Sequence, residues 1–365
     1  MAANRSLVSP TSNPLLEKAL QEKLQRRNAS SGSLGELEPL AVRLGLMQRS
    51  LKPRFNEPQL LIFAADHGIA VDGIRGPDGA STGDVVAQLM KGELALAVFA
   101  RMQHLDLSVV DCGVAEDLPT HERLLMRKIA HGTRNARISS AMSLEQAHAG
   151  MRAGMELGDK LRGNAVVLAG MGVGSSESAA MVLSRLSQTA VRDLIVPGAL
   201  TDIRSVTHSL DIVKKTQTRH RGVTDPIEVL AAFGGFEIAV MVGVMLMAAS
   251  KRHLLLIDGL PACAALMLAS RIAQPVTDYC VFCRSHSHRG LDKALSLFRA
   301  SALMELGLDT IDGTGATLAW PLVRSAAAML SDVTEEGDPD STWSLPTEDD
   351  DAEQQPEILS GPKLY

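Results

Sequence analysis

Polar and glycine-rich residues that could do chemistry follow apolar runs at several points of this 365-residue chain. The first group is Asp66-His67-Gly68. A carboxylate beside an imidazole could be an acid/base pair or half of a metal site, although such residues also form ordinary hydrogen-bonded turns. The group Asp111-Cys112-Gly113 is equally ambiguous. Neither group fixes a function by itself.

A glycine-rich segment later in the chain favours an anion site. Gly170, Gly172 and Gly174 alternate with larger residues, and Ser175 and Ser176 follow at the expected start of a helix. Glycines let a ligand approach the backbone, and the N–H groups at a helix start attract phosphate. The alternative is a tight strand-to-helix turn with a capping serine. The spacing matches neither the dinucleotide-binding fingerprint nor a P-loop.

A further candidate group, Asp312-Gly313-Thr314-Gly315, precedes an expected helix. Its aspartate could simply interact with the helix dipole. It could equally be a carboxylate that a flexible backbone holds against a ligand. The residues alone leave both interpretations open.

Two cysteines and two histidines have a spacing similar to that of zinc ligands, namely Cys280, Cys283, His286 and His288. The histidines stand closer together than in the usual finger pattern. Side chains of strand residues 280–282 would also point alternately to opposite faces. We therefore interpret the segment as a buried strand that leads into a histidine-rich loop, and we predict no metal.

Short apolar runs alternate with helical patterns from residue 58 onward. This alternation predicts an α/β fold with a parallel sheet covered by helices on both faces. Ligands bind such sheets at the carboxyl ends of the strands, which is where the candidate groups stand. The predicted strands are 59–66, 107–111, 165–169, 254–258 and 279–282, and the predicted helices are 84–102, 143–161, 175–187, 205–216 and 261–272.

Helical patterns at both ends of this region predict a smaller subdomain. Amphipathic spacing predicts helices over 15–24 and 37–46, and two more are expected over 291–306 and 314–330. We predict an N-terminal helical segment over 1–57, an α/β substrate-binding domain over 58–290, and helices over 291–331 that complete the small subdomain. Residues 332–365 are expected to form an acidic, disordered tail.

The distribution of charge excludes some function classes. The net charge is −6, but residues 332–365 carry −10, so the remainder is mildly basic. That balance suits a phosphate-bearing ligand and is too weak for nucleic acid, and a content of 3% aromatic residues argues against a base-stacking surface. Residues 230–250 contain Glu237, so we expect a buried helix from near Gly235 rather than a membrane span. The first residues form no apolar leader, and the four cysteines are unevenly spaced, so we expect a cytoplasmic protein.

Six segments of the chain are similar to motifs of one known family and occur in the same order. They are 63–68, 110–114, 132–135 with 141–142, 233–237, 256–259 and 312–316. They resemble the nicotinate-nucleotide–dimethylbenzimidazole phosphoribosyltransferases, which activate the lower base of cobalamin. The resemblance implies a Rossmann-like sheet with a smaller helical domain, a homodimer and no cofactor. It also implies that phosphoribose passes from nicotinate mononucleotide to 5,6-dimethylbenzimidazole or a related aromatic acceptor, which gives α-ribazole phosphate and nicotinate.

The resemblance also implies roles for residues. The family's base is a glutamate in a Glu-Gly-Thr/Ser-Gly-Ala stretch, and Asp312 stands at that position, so we expect it to take the proton of the incoming benzimidazole. The remaining candidates are expected to bind the substrates, with a glycine-lined helix start for the phosphate and an apolar slot for the flat base. The predicted substrate-binding residues are Asp66, His67, Gly68, Gly170, Gly172, Gly174, Ser175, Ser176, Gly313, Thr314 and Gly315.

The chain departs from the family pattern in four places. Asp312 is one methylene shorter than glutamate, which withdraws the carboxylate by about 1.5 Å. The family's Gly-Glu-x-Gly-x-x-Asn-Thr-Thr loop is Ala169 to Glu177 here. An expected lysine corresponds to Ser209, with Arg204 or Lys214 as alternative sources of the positive charge. The loop Ser-His-x-Ser-Ala-Glu is replaced by residues 283–288. An alternative function is therefore a catalytically impaired paralogue that binds the nucleotide or partners a competent homologue.

Overall fold

The computed structural model describes residues 7–75, 79–195, 203–285 and 289–333. These residues contain one sheet of six parallel strands, in the order β3-β2-β1-β4-β5-β6. The strands are β1 (Gln59–Ala65), β2 (Asp106–Gly113), β3 (Leu124–Met126), β4 (Ala165–Met171), β5 (Leu254–Ile257) and β6 (Cys280–Phe282). The α/β prediction is confirmed, since the sheet is parallel and its central strands are buried.

The order of the strands determines where a ligand can enter. The chain proceeds outward from β1 to β2 and β3, and then outward on the other side from β4 to β5 and β6. The connections that follow β1 and β4 therefore diverge, and such a switch point leaves a crevice beyond the carboxyl ends of the two strands. Asp66 and Gly172 are the first residues beyond these ends.

Twelve α-helices accompany the sheet in the part of the chain that the structure describes. They are α1 (Pro14–Ser31), α2 (Leu37–Gln48), α3 (Thr82–Lys91), α4 (Ala95–Met102), α5 (Leu144–Asp159), α6 (Ser175–Ser187), α7 (Ile203–Arg219), α8 (Pro226–Phe233), α9 (Phe236–Ser250), α10 (Leu260–Ile272), α11 (Arg289–Leu297) and α12 (Thr314–Ser331). Several begin as the sequence suggests. Ser81 and Ser143 form capping boxes for α3 and α5, and Asp225 caps α8 ahead of a proline.

Four helices begin differently, at a glycine whose position has no capping side chain of its own. Gly174, Gly235, Gly259 and Gly313 are the N-cap residues of α6, α9, α10 and α12. A glycine leaves the first N–H groups of a helix accessible to partners from other elements. The N-terminal ends of these four helices frame the candidate site.

The apolar segment 230–250 is confirmed as buried, and it forms two helices because the chain is interrupted at Gly234-Gly235. α9 packs along α5, whose Gly154 leaves no room for a side chain against the backbone of α9. Nearly every residue of α9 is buried, including Glu237. Within the described ranges, no helix is long and apolar enough to cross a bilayer.

Two other predicted helices differ from the structure, and one strand was not predicted. The helix expected over 84–102 is divided into α3 and α4, because the chain turns at Gly92 with φ +77°. The helix expected over 291–306 already ends at Leu297, and Arg299 has a positive φ. Strand β3 was not predicted, since three residues are too few for a pattern. The other predicted strands and helices are confirmed to within a few residues at most ends.

The helices α1, α2 and α12 from the two ends of the chain pack against one another. Phe55 and Trp320 of α12 have ring centroids 5.4 Å apart, and Arg27 of α1 donates to the carbonyl oxygen of Met329 in α12. Arg54 pairs with Asp332 at 2.6 Å. The division into domains at residues 58, 291 and 332 stays a prediction, and residues 334–365 of the predicted tail lie outside the described residues.

Candidate active site

Two clusters of polar side chains lie at the carboxyl ends of the strands. The first comprises His67, Ser175 and Glu237, and we call it the His67 cluster. Glu237 Oε1 accepts a hydrogen bond from Ser175 Oγ at 2.9 Å and lies 3.0 Å from His67 Nε2. The side chain of His67 is 2% exposed and that of Glu237 is 0% exposed. The cluster thus joins the end of β1 to the first turns of α6 and α9.

The His67 cluster is buried, and its histidine and carboxylate interact electrostatically. Burial lowers the pKa of His67, but the charge and hydrogen bond of Glu237 raise it by more, so the net pKa lies above its usual value. Glu237 Oε2 is buried and has no hydrogen-bond partner among the described residues. A buried carboxylate beside an imidazole of raised pKa favours an ion pair inside the fold.

The predicted anion turn is a strand–turn–helix unit that passes close to β1. Gly172 and Gly174 have φ values of +149° and +87°. A Cβ atom at Gly172 would overlap the carbonyl oxygen of Ala65, and one at Gly174 would lie 2.9 Å from His67 Cβ. Ser175 is directed to Glu237, whereas Ser176 is exposed at the start of α6. Of the two predicted serines, Ser176 is the one at the surface.

Asp66 and Gly68 hold neighbouring loops together. Asp66 accepts hydrogen bonds from Thr82 Oγ1 at 2.5 Å and from the amide of Ala115 at 2.8 Å. The Gly68 amide donates to Thr133 Oγ1 at 3.2 Å, and a Cβ atom at Gly68 would lie 2.5 Å from the carbonyl oxygen of Thr133. These contacts fix the loops beside β1 and β2.

The second cluster comprises Asp258, Arg284 and Asp312, and we call it the Asp312 cluster. Arg284 Nε donates to Asp258 Oδ1 at 2.6 Å, and its Nη2 donates to Asp312 Oδ1 at 2.5 Å. Asp258 Oδ2 accepts from the amides of Gly313 at 2.8 Å and Ala316 at 3.0 Å. Asp258 therefore caps α12 from the end of β5, and this cap takes the place of the side chain that Gly313 lacks.

The carboxylate of Asp312 is partly accessible and its proton affinity is shifted. Its side chain is 21% exposed, compared with 6% for Arg284 and 0% for Asp258. Burial raises the pKa of Asp312 to about 7, because the lowering by Arg284 only partly offsets burial and the charge of Asp258. A carboxylate with this pKa can hold or release a proton near neutral pH, as a general base must.

Glycines provide the space that the Asp312 cluster occupies. Gly259 has φ +98°, and the carboxylate of Asp312 lies where its Cβ would be. A Cβ at Gly315 would lie 2.6 Å from Arg284 Cδ, and one at Gly313 2.9 Å from Ile62 Cδ1. Thr314 is buried and donates to the carbonyl oxygen of Ile311 at 2.7 Å. The predicted residues 313–315 thus pack around the cluster.

Gly170 is placed differently from the other predicted glycines. It lies inside β4, and a Cβ atom there would be 2.6 Å from Pro261 Cβ and 3.1 Å from Met241 Cε. A glutamate could not occupy this position without displacing α10. Glycine at this position therefore fits the packing of α10, whereas the family resemblance implies a glutamate here.

Sequence reasoning did not select three of the most engaged residues as site residues: Glu237, Asp258 and Arg284. Asp258 follows a strand, as Asp66 does, and Glu237 is a carboxylate in an otherwise apolar helix. A buried charge requires a partner, so both residues could have been selected as site candidates from the sequence. Arg284 follows the short strand β6 and had no comparable signal.

The cysteine and histidine segment was the alternative metal site. Cys280 and Cys283 are buried, and burial raises the pKa of both thiols. Their sulfur atoms lie 3.4 Å from the carbonyl oxygen of Val276 and 3.9 Å from that of Val281. His286 and His288 lie outside the described residues. Among the residues that are described, no group of three histidine, cysteine or acidic side chains is arranged to hold a metal ion.

Comparison with known proteins identifies relatives along nearly the whole chain. A family model described as phosphoribosyltransferase matches residues 9–338. The nicotinate-nucleotide–dimethylbenzimidazole phosphoribosyltransferase of Dechloromonas aromatica is 39% identical over 324 residues, which cover 87% of this chain and 93% of that protein. The enzyme of that name from Janthinobacterium is 35% identical, with coverages of 88% and 94%. A crystal structure with the same description from Thermus thermophilus superposes with a TM-score of 0.81 at 28% identity, covering 89% of this chain and 99% of that one.

Proposed function

This chain belongs to the phosphoribosyltransferase family, and on that premise we propose that it is a nicotinate-nucleotide–dimethylbenzimidazole phosphoribosyltransferase. It transfers phosphoribose from nicotinate mononucleotide to 5,6-dimethylbenzimidazole, which gives α-ribazole phosphate and nicotinate for the lower ligand of cobalamin. The observation that carries the assignment of a base is Asp312, a partly exposed carboxylate of raised pKa at the carboxyl edge of the sheet.

The chemistry that we propose needs one protein base. A ring nitrogen of the benzimidazole attacks C1′ with its lone pair, and the bond from C1′ to the pyridinium nitrogen breaks. The electrons of that bond neutralise the pyridinium, so nicotinate leaves without needing a proton. The N–H proton of the other benzimidazole nitrogen passes to the Asp312 carboxylate, which later releases it to water.

The remaining work is positioning of the two substrates. We propose that the backbone N–H groups at the start of α6, with the exposed Ser176, bind the phosphate of the nucleotide. Glycines at 172 and 174 allow the chain to turn there, and the buried His67 cluster fixes this turn against β1. His67 and Ser175 then act through the shape of the turn, since both side chains are buried.

The experiment compares wild type with Asp312→Asn in the presence of nicotinate mononucleotide and dimethylbenzimidazole, with nicotinate and α-ribazole phosphate measured by chromatography. Wild type is expected to form both products in equal amounts. Asp312→Asn is expected to lower kcat by a factor of about 10² to 10⁴, the usual contribution of a general base. The control is Asp309→Asn, which removes an exposed carboxylate three residues earlier. If Asp312→Asn keeps most of the wild-type rate, the assignment of the base is wrong.

A second candidate, a nucleotide-binding paralogue without turnover, is favoured by the packing at Gly170, which excludes the family's glutamate. Calorimetry with nicotinate mononucleotide separates the two. Binding without product from benzimidazole, purine or phenol acceptors would support the second candidate.

We also propose that the protein acts in the cytoplasm as a homodimer, which the family resemblance supports. Light scattering of the purified full chain tests the dimer, for which the expected mass is twice 38.9 kDa. A mass that stays at that of one chain across concentrations would contradict it.

A further inference from the structure

Arg284 is held in place by groups on both sides of it. Its three nitrogen atoms donate to Asp258, to Asp312 and to the carbonyl oxygen of Leu308, the last at 2.9 Å. Its stem lies against Gly315, where a side chain would collide with it. Its guanidinium is therefore bound to a fixed frame, and its planar fork can orient a carboxylate.

The frame extends to the helix that follows Asp312. Asp258 bonds Arg284 with one oxygen and the amides of Gly313 and Ala316 with the other. The Asp258 carboxylate thus binds the backbone that follows Asp312 directly. It also binds Arg284, which in turn binds the side chain of Asp312. This arrangement fixes Asp312 Oδ1 and leaves Oδ2 without a hydrogen bond from Arg284.

We propose that Arg284 is the positioning residue of the base, which clamps Asp312 Oδ1 so that Oδ2 faces the acceptor's N–H group. The proposal rests on the proposed function and goes beyond it, because it assigns a role to a residue outside the expected site. An aspartate has a short side chain, so its reach depends on where the backbone and the clamp hold it. A displacement of about 1 Å at a reacting group can cost a factor of roughly a hundred in rate.

The clamp makes two separable contributions, geometry and charge. Its geometry sets the distance from Oδ2 to the acceptor. Its positive charge lowers the pKa of Asp312, against the opposing effects of burial and Asp258. Arg284→Gln removes both contributions, whereas Arg284→Lys keeps the charge and removes the fork.

The test measures kcat, KM for nicotinate mononucleotide and the pH dependence of kcat for wild type, Arg284→Gln and Arg284→Lys. Arg284→Gln is expected to lower kcat about a hundredfold and to move the acidic limb of the profile to higher pH, since the lost cation no longer favours the ionised carboxylate. Arg284→Lys is expected to lower kcat at least about tenfold while the limb stays near that of wild type. KM for the nucleotide should change less than about threefold, because Arg284 bonds the base and not the phosphate turn.

The matched control is Arg252→Gln. Arg252 also donates to carbonyl oxygens inside the fold, those of Met47 at 2.6 Å and Leu46 at 2.8 Å, but it lies beyond the amino end of β5. Its loss is expected to lower the melting temperature and to leave the pH profile unchanged. A purely structural role for Arg284 would produce the same result as this control.

Several outcomes would overturn the proposal. A folded Arg284→Gln protein with an unshifted acidic limb and a kcat within threefold of wild type would do so. If Arg284→Gln does not fold, Arg284→Lys decides, and a kcat equal to that of wild type rejects the clamp. A wild type without turnover rejects the proposed function instead. In that case, carboxyl ¹³C NMR of labelled aspartate, assigned with Asp312→Asn, still tests whether loss of Arg284 raises the pKa of Asp312.

Discussion

The His67 cluster and the Asp312 cluster contain similar types of residue, but their carboxylates differ in exposure to solvent. Each pairs a carboxylate with a nitrogen base or cation at the carboxyl edge of the sheet. Glu237 is completely enclosed, whereas Asp312 is 21% exposed and has a pKa of about 7. A fully buried pair can fix the positions of the elements that it joins, whereas a partly exposed carboxylate can also exchange a proton with a ligand. Accessibility, more than residue type, therefore distinguishes the His67 cluster from the cluster that contains the proposed base.

The largest effect is expected when the carboxylate of the His67 cluster is removed. Glu237→Ala leaves His67 buried and Ser175 without an acceptor, so the free energy of unfolding is expected to fall by about 3–5 kcal/mol, as for other broken buried pairs. Urea denaturation measures it. The control Glu228→Ala, in the first turn of α8 and exposed, is expected to cost less than about 1 kcal/mol. A loss as small as that of the control would mean that the His67 cluster does not hold the fold.

The next test concerns the space beside the Asp312 cluster. Gly259→Ala places a methyl group where the Asp312 carboxylate lies, so kcat is expected to fall about a hundredfold. The control is Gly92→Ala, whose φ of +77° is also unfavourable for alanine but whose Cβ would have nothing within 4 Å. Both variants are expected to lose roughly 1 kcal/mol of stability from backbone strain. Unchanged kcat in Gly259→Ala would show that the position of Asp312 is not critical.

A smaller effect concerns the pH dependence of the wild-type rate. With a pKa of about 7 for Asp312, the ionised base is lost as the pH falls through 7. We expect kcat/KM, which reports ionisation in the free enzyme, to fall about tenfold for each pH unit below that value and to be level above it. Initial rates between pH 5.5 and 9 provide the measurement. A rate that is level down to pH 5.5 would exclude a base with this pKa.

The sequence predicted which edge of the sheet the candidate residues occupy better than it predicted the contacts between them. Residues after apolar strands were selected because parallel strands present their carboxyl ends at one edge, and His67 and Gly174 lie there. Asp312 was selected from its position ahead of a helix and from the family resemblance. The partners could not be predicted in the same way. Glu237 is 170 residues from His67 in the chain, so their contact depends on how α9 packs against β1. The order of the strands also has no local signal.

Departures from the family pattern occur in contacting pairs. Asp312, in place of a glutamate, contacts Arg284, which stands in the replaced loop. Ser209, in place of an expected lysine, donates to Glu177 at the end of the altered glycine loop, at 3.1 Å. In both contacts, a residue that differs from the family pattern in length or charge touches another residue from a segment that also differs. This pairing argues that the altered residues form a consistent local structure rather than independent losses.

The smallest predicted effect is the dependence of stability on the protonation of His67. Its folded pKa is raised, so its ion pair with Glu237 stabilises the protein fully below the unfolded pKa of about 6.5, and this contribution is lost as the pH rises through the folded value. Asp312 also has a raised pKa, so its own contribution to the stability of the protein is lost as the pH rises toward 7. The effect of His67 is therefore measured in the Asp312→Asn variant, where this second contribution is removed. In that background, the free energy of unfolding is expected to fall more steeply above pH 6.5 than in the Asp312→Asn/His67→Gln double variant. Equal slopes in urea denaturation at successive pH values would mean that His67 is not charged in the folded protein, and the His67 cluster would then be held by neutral hydrogen bonds.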